Sequence, residues 1–210
     1  MKKNCTEVVF VLDRSGSMCG LEKDTIGGFN SLINKQKKQD GEVLVSTVLF
    51  NDSSVVIHDR KPIDEVRLMT SKDYEVYGCT ALLDALGSSI RHIGNIHKYA
   101  RVEDVPEHTM FVIITDGMEN ASRYYSKERV KLMIEYEKEK YGWEFLFLAA
   151  NMDAIDTASQ YGIDKDHAVN YQCDSVGTRL NYEVLDEAIQ CICSGVPLSK
   201  SWKSKIEKRK

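Results

Sequence analysis

The stretch Phe10-Val11-Leu12-Asp13-Arg14-Ser15-Gly16-Ser17-Met18 decides how this sequence folds. An apolar run, which predicts a buried strand, ends at the carboxylate of Asp13, and two hydroxyl side chains follow at alternate positions. In a tight turn this alternation directs Asp13, Ser15 and Ser17 to the same side, and Gly16 removes the Cβ that would crowd the bend. Oxygen side chains that converge in this way suit a hard cation such as Mg²⁺.

Two later segments supply further oxygen atoms. Gly78-Cys79-Thr80 leads into a helical pattern and offers a third hydroxyl at a loop-to-helix junction, where Thr80 is also a natural N-cap. A second apolar run, over residues 110–115, ends in Asp116-Gly117. Asp and Ser after strands are also ordinary turn and capping residues, so each segment alone is ambiguous. Their combination in this order predicts one metal site.

The rest of the chain alternates between strand and helix patterns. Short apolar runs predict strands over residues 8–12, 43–50, 55–57, 110–115 and 145–150, with a weak last strand over 167–171. Apolar residues at helical spacing predict helices over residues 21–38, 81–99, 126–141, 153–161 and 182–193. This order indicates a three-layer, doubly wound, Rossmann-like α/β fold, in which helices cover both faces of a mostly parallel six-stranded sheet.

The connections predict where the metal site lies in that sheet. Asn51-Asp52 is too short for a crossover, so the second and third strands should form an antiparallel hairpin. If the chain then crosses to the other side, the first and fourth strands become central neighbours. Ligands of open α/β sheets bind where the winding reverses, at the carboxyl ends of the strands, and Asp13 and Asp116 follow those two ends.

Composition excludes several classes of protein. The chain has 210 residues, 42% hydrophobic and 29% charged, which predicts one globular domain, over residues 1–198. A basic tail over residues 199–210 is expected to be a frayed end, a short surface helix or a partner-binding arm. The net charge of −4 gives no reason to expect nucleic-acid binding, and no apolar run is long enough to span a membrane. Six cysteines without a secretion signal predict reduced thiols and a cytoplasmic location.

The three segments together resemble the von Willebrand factor A (vWA, or integrin I-like) domains. The metal-ion-dependent adhesion site of that family (MIDAS) consists of an Asp-x-Ser-x-Ser loop, a Thr from a second loop and an Asp from a third. Asp13, Ser15, Ser17, Thr80 and Asp116 match this pattern, and the resemblance covers residues 7–195. Cys79 stands where the family often has Gly. The resemblance further leads us to expect a stand-alone domain of the bacterial type, and such domains often serve as assembly factors or scaffolds.

The resemblance implies a binding module and not an enzyme. Mg²⁺, or Mn²⁺ or Ca²⁺ in its place, would keep one open coordination position, and an Asp or Glu of a partner protein would complete its shell. The expected rim residues, which would shape the choice of partner, are Arg14, Met18, Cys79, Glu119 and Asn120. No sequence signal indicates an oligomeric state.

A Mg²⁺-dependent phosphatase of the haloacid-dehalogenase-like class is the main alternative. Such an enzyme also begins with an Asp at the end of a strand, but it needs a second Asp two residues later as general acid, where this chain has Ser15. It also needs a later carboxylate pair and a lysine, and Asp116 alone does not form that pair. The sequence thus favours binding over turnover.

Overall fold

The computed structural model describes residues 1–209, and the predicted six-stranded sheet is confirmed. The strands are β1 (Lys2–Asp13), β2 (Glu42–Phe50), β3 (Ser54–Pro62), β4 (Pro106–Thr115), β5 (Glu144–Ala149) and β6 (Ala168–Asn170). Their order across the sheet is β3-β2-β1-β4-β5-β6. Only the β2–β3 pair is antiparallel, as the short Asn51-Asp52 connection predicts.

The helices lie on both sides of this sheet. They are α1 (Glu22–Gln36), α2 (Leu82–Tyr99), α3 (Lys127–Tyr141), α4 (Ala154–Gln160), α5 (Ser175–Cys193) and α6 (Ser204–Glu207). Two capped starts agree with the sequence: Ser126 accepts a hydrogen bond from the amide of Arg129, and Asp153 caps α4. Among the described residues, no helix is long and apolar enough to cross a membrane.

The central strand β4 shows why the sequence reads as apolar on both faces. Met110, Val112 and Ile114 point into a core that α1 and α5 cover. Phe111 and Ile113 point into a second core, on the side of α2, α3 and α4. Alternate residues therefore belong to different cores, which is the pattern of a strand buried on both faces. β1 and β4 pair directly, so the predicted central neighbours are confirmed.

The predicted extent of the last long helix needs a correction. The periodic apolar residues indicated a start at residue 182, but α5 begins at Ser175, two turns earlier. Its first turns carry Thr178 and Asn181, which are polar and nevertheless buried. The carboxylate of Asp174 starts the helix by accepting a hydrogen bond from the amide of Gly177 at 2.7 Å.

The basic tail does not stand apart from the domain. Trp202 is 5% exposed, and its indole donates to the carbonyl oxygen of Asp166 at 2.9 Å. The ammonium of Lys203 donates to the carbonyl oxygens of Lys165 and Ala168, and Ile206 joins the core on the side of α5. The predicted boundary at residue 198 is therefore too early. Of the predicted tail, Lys210 lies outside the described residues.

Candidate metal centre

Two buried carboxylates lie side by side where β1 and β4 end. Asp13 is the last residue of β1, Asp116 directly follows β4, and these side chains are only 1% and 2% exposed. Parallel neighbouring strands end at the same edge of the sheet, which is why residues 103 positions apart in sequence meet here. The sequence prediction that topology brings Asp13 and Asp116 to the same edge agrees with this placement.

Hydrogen bonds hold the carboxylate of Asp13 at both oxygens. Oδ1 accepts from the amide of Ser15 at 2.7 Å, and Oδ2 accepts from the hydroxyl of Thr115 at 2.5 Å. Burial raises the pKa of Asp13, these hydrogen bonds oppose the rise, and the nearby charge of Asp116 adds to it. A divalent cation beside both carboxylates would compensate the charge that burial disfavours.

The carboxylate of Asp116 contacts the Asp-x-Ser-x-Ser loop and a second loop. Ser17 Oγ donates to Oδ1 at 2.6 Å, and Ser17 Oγ lies 3.1 Å from Ser15 Oγ. On the other side, the thiol of Cys173 donates to Oδ2 at 3.3 Å, and burial raises the pKa of this thiol to about 11. The side-chain amide of Asn151 donates to the main-chain carbonyl oxygen of Asp116 at 3.3 Å.

The loop that carries Thr80 is fixed by its main chain. The amide of Gly16 donates to the carbonyl oxygen of Gly78 at 3.0 Å, which joins the first two loops. Gly78 has a φ of +78°, and the carboxylate of Asp52 occupies the space that a Cβ would need there. Thr80 exchanges hydrogen bonds with Asn120: its amide donates to the Asn120 side chain, and its carbonyl accepts from the Asn120 amide.

Thr80 is not the N-cap of α2, contrary to the sequence expectation. Ala81 holds the cap position, and no side chain of that residue caps the helix. The carboxylate of Glu119 caps the start of α2 instead, because it accepts a hydrogen bond from the main-chain amide of Leu83 at 2.8 Å. Thr80 is consequently free to direct its hydroxyl toward Gly117.

The three predicted hydroxyls surround one small volume beside Gly117. A Cβ built on Gly117 would lie 2.7 Å from Thr80 Oγ1, 3.1 Å from Ser17 Oγ and 3.5 Å from Ser15 Oγ. Because Gly117 has no side chain, hydroxyls of the other two loops approach the third loop here and form a cradle, with Asp116 hydrogen-bonded to one of them. Ser17 is exposed, so the cradle opens to solvent.

The chemistry of these donors fits a hard cation. Within residues 1–209, no three His, Cys, Asp or Glu side chains gather in a way that could hold a metal. Two carboxylates and three hydroxyls meet at this edge of the sheet instead, and such oxygen sets suit Mg²⁺, Mn²⁺ or Ca²⁺ better than a soft metal. Asp13, Ser15, Ser17, Thr80 and Asp116 are the residues that would hold the ion.

The expected rim residues divide into exposed and buried ones. Cys79 and Asn120 are exposed beside the cradle. Met18, however, is only 1% exposed and belongs to the core under α1 and α5, so its place on the rim is corrected. The turn Gly16–Met18 is a short helical turn, which directs Met18 inward while Ser17 stays outside.

Arg14 and Glu119 are occupied by contacts within the chain. Arg14 is buried, with its guanidinium 5.5 Å from the ring centre of Tyr77. Glu119 accepts from the amides of Leu83, Ala121 and Ser122, so it fastens the loop after β4 to the start of α2. Both residues shape the loops around the cradle, and their contacts are internal.

Sequence reasoning missed three residues that donate hydrogen bonds to Asp13 or Asp116. Thr115 donates to Asp13, Cys173 donates to Asp116, and the hydroxyl of Tyr74 donates to the carbonyl oxygen of Asp13. Thr115 carried a usable signal, since it is a polar residue at the end of an apolar strand and next to Asp116. Tyr74 and Cys173 lie in loops without periodicity, and no pattern marked them.

Comparisons with known proteins bear on the fold. No family model matches the chain, and no curated protein matches it. The solved vWF domain of the type V pili tip protein Mfa5 from Porphyromonas gingivalis superposes with a TM-score of 0.66, at 11% identity, over 92% of this chain and 97% of that one. This chain has the vWA fold.

Two further vWA structures agree with this assignment. Proximal thread matrix protein 1 from the mussel byssus, with a zinc-occupied MIDAS motif, gives a TM-score of 0.60 at 14% identity, over 90% of this chain and 47% of that one. The ArnB paralog VWA2 from Sulfolobus acidocaldarius gives 0.56 at 17% identity, over 88% and 45%. The chain spans less than half the length of these two proteins, and the likenesses support the vWA fold alone.

Proposed function

We propose that this vWA domain binds a divalent cation, Mg²⁺ by the chemistry of its donors, and uses the ion to hold an acidic side chain of a partner protein. The observation that carries the proposal is the convergence of the Thr80, Ser17 and Ser15 hydroxyls beside Gly117, next to the carboxylate of Asp116. A zinc-occupied MIDAS in a mussel protein of the same fold supports a divalent ion at this edge.

Charge and access favour recognition of an acid. Two carboxylates neutralise a divalent cation without surplus negative charge, and with three hydroxyls they fill five of six octahedral positions, so a further carboxylate could take the sixth. Because Ser17 is exposed, a carboxylate from outside can reach the cradle. When bound, the metal would supply Lewis acidity; the residues of the chain hold it and keep its outer side open.

Titration calorimetry with Mg²⁺ and Mn²⁺ tests whether the domain binds a metal ion and measures the affinity. Replacing Thr80 by Val keeps the shape and removes one hydroxyl, and we expect the metal affinity to fall about tenfold or more. Thr178→Val is the matched control, because Thr178 is also buried and its hydroxyl has no hydrogen-bond partner. Equal affinities of the Thr80→Val variant and the wild type would contradict the proposed site.

Partner recognition needs a separate measurement. Bound Mn²⁺ with an open position speeds the relaxation of water protons, and acetate, as the simplest carboxylate, should reduce this effect when it displaces that water. A relaxation rate that acetate leaves unchanged would argue against ligation of an acid, even if the metal binds. Partner capture with and without EDTA, using wild type and Asp13→Ala, would then identify the protein ligand.

The same variants address the enzymatic alternative. Hydrolysis of p-nitrophenyl phosphate by the wild type, abolished in Asp13→Ala, would support the phosphatase class. The binding proposal expects no hydrolysis above the rate of buffer with Mg²⁺, since Ser15 occupies the position where that class has its general acid.

A further inference from the structure

A second candidate site lies at the opposite end of the sheet from the metal centre. A cavity of about 330 Å³ opens where β1, β4 and β5 begin, between the C-terminal ends of α2 and α3. Val102, Val105, Pro106, Tyr141 and Trp143 supply most of its apolar lining. Sites for small molecules typically occupy about 300–1,000 Å³ and combine such walls with few polar groups.

The polar group that distinguishes this cavity is the carboxylate of Glu137. Its side chain lines the cavity, only 9% of the residue is exposed, and Oε2 has no hydrogen-bond partner among the described residues. The neighbouring side chains that could donate to it have other partners: a ring nitrogen of His97 lies 2.7 Å from the carboxylate of Glu7, and Lys140 donates to the hydroxyl of Tyr136 at 2.6 Å. A buried carboxylate without a partner is costly, so it marks a place for a missing donor.

The indole of Trp143 lines the cavity beside Glu137. A Cβ on Gly94 would lie 3.2 Å from Glu137 Oε1 and 3.9 Å from the ring of Trp143, so both side chains pack closely against the bare backbone of α2. Stacking on Phe111 and an edge contact with His97, each with 5.4 Å between ring centres, hold the Trp143 ring in place. The carboxylate therefore lies among apolar atoms, where a charge-assisted hydrogen bond from an organic cation is stronger than one from a neutral group.

The remaining charges at the cavity leave it acidic or neutral. Glu107 lines it as a second carboxylate, and the amino groups among its lining residues are those of the Lys98 side chain and the Met1 N-terminus. The ammonium of Lys98 lies 5.3 Å from the ring centre of Tyr99, so it is directed to that ring. A cation with a short apolar stem therefore matches both the walls and the charge.

We propose that this cavity binds an alkylammonium or alkylguanidinium group, with the cation on Glu137 and the alkyl stem against the apolar wall. The group is carried by a free small molecule or by a Lys or Arg side chain of another protein. This site is independent of the metal centre and of the function proposed for it.

Nuclear magnetic resonance of the full chain provides the test, with butylguanidinium as the probe. Trp143 lines the cavity, so its indole signal reports binding there. The indole of Trp202 donates to the carbonyl oxygen of Asp166 outside the cavity, so the Trp202 signal is an internal reference. We expect butylguanidinium to shift the Trp143 indole signal and to leave the Trp202 signal in place. Neutral butylurea, of the same shape, should bind at least tenfold more weakly.

Two variants test the role of the carboxylate. Glu137→Gln keeps the volume and removes the charge, and we expect butylguanidinium to bind about tenfold more weakly, because a charge-assisted hydrogen bond becomes a neutral one. Gly94→Ala, within α2, should weaken binding by narrowing the space over Glu137. Glu139→Gln is the matched control: it makes the same change on the same helix at an exposed position outside the cavity lining.

A comparison of probes separates the two sources of the cation. Tighter binding of butylguanidinium or butylamine than of the peptide acetyl-Gly-Arg-Gly-amide indicates a free small molecule, and the reverse indicates a protein side chain. The proposal is overturned if butylurea binds as well as butylguanidinium, if Glu137→Gln leaves the affinity unchanged in a folded protein, or if no probe shifts the Trp143 signal.

Discussion

The substitution Gly117→Ala tests the metal centre by filling it. The new methyl group would lie 2.7 Å from Thr80 Oγ1 and 3.1 Å from Ser17 Oγ, well inside the separation of about 3.5 Å at which nonbonded atoms normally pack. Gly117 has no left-handed backbone conformation, so alanine imposes no strain of that kind. The methyl group and a cation would compete for the same volume between the hydroxyls.

The expected size of the effect follows from ligand linkage. At a Mg²⁺ concentration 100 times its Kd, bound metal would stabilise the wild type by about 2.7 kcal/mol, which raises the Tm of a domain this large by roughly 5–10 °C. We expect Gly117→Ala to weaken binding at least 100-fold. The same Mg²⁺ concentration would then contribute only about 0.4 kcal/mol, or roughly 1 °C.

Thermal unfolding with and without Mg²⁺, together with titration calorimetry, measures both numbers. Without metal, the variant should lose only about 1 kcal/mol, the order of the displaced Ser17–Asp116 hydrogen bond. Gly27→Ala is the matched control, since it lies exposed in α1 with no atom within 4 Å of the added Cβ. A Gly117→Ala variant that binds Mg²⁺ as the wild type does would refute the cradle as the metal site.

Three further substitutions separate stability from binding. Asp13→Asn should abolish metal binding and yet stabilise the metal-free protein, because burial disfavours the charged form of Asp13 and raises its pKa. Urea unfolding should show no gain in stability below the pKa of an unfolded aspartate, about 3.9. The gain should appear as the pH rises through the pKa of Asp13 in the folded protein. Glu119→Ala should lower the free energy of unfolding by about 1–3 kcal/mol, since it removes the cap of α2; an unchanged urea midpoint would contradict that role. Trp202→Ala should cost about 3–5 kcal/mol, whereas Lys200→Ala, with a side chain 78% exposed, should stay within about 0.5 kcal/mol. If Trp202→Ala and Lys200→Ala lower the free energy of unfolding by similar amounts, the tail does not contribute to the core.

The parts of the fold that could be predicted are those in which burial leaves a period in the sequence. β4 is apolar throughout residues 110–114 because both of its faces are covered there, and its order relative to β1 follows from the short hairpin before it. The alternation of Asp13, Ser15 and Ser17 similarly marked a common direction. In both cases the local pattern and the tertiary position agree.

The misses have the opposite cause, because there the tertiary contacts overrule the local pattern. Thr178 and Asn181 are polar but buried against neighbouring elements, so periodicity placed the start of α5 too late. In the basic tail, Trp202 and Ile206 are four residues apart, a spacing that places both on one face of a helix. This spacing indicates packing on the domain, but the many lysines around it led to the prediction of an exposed segment. Met18 lies next to the predicted metal ligands in a loop without periodicity, so no pattern marked it as a core residue.

The length of β4 sets the relation between the two candidate sites. Pro106, its first residue, lines the cavity, and Asp116 follows its last residue, Thr115. A strand of ten residues is about 30 Å long, so an acidic side chain at the metal centre and a cation in the cavity would be held about 30 Å apart. If both proposed sites are occupied, β4 therefore sets a fixed distance between two ligands of opposite charge at opposite ends of the sheet.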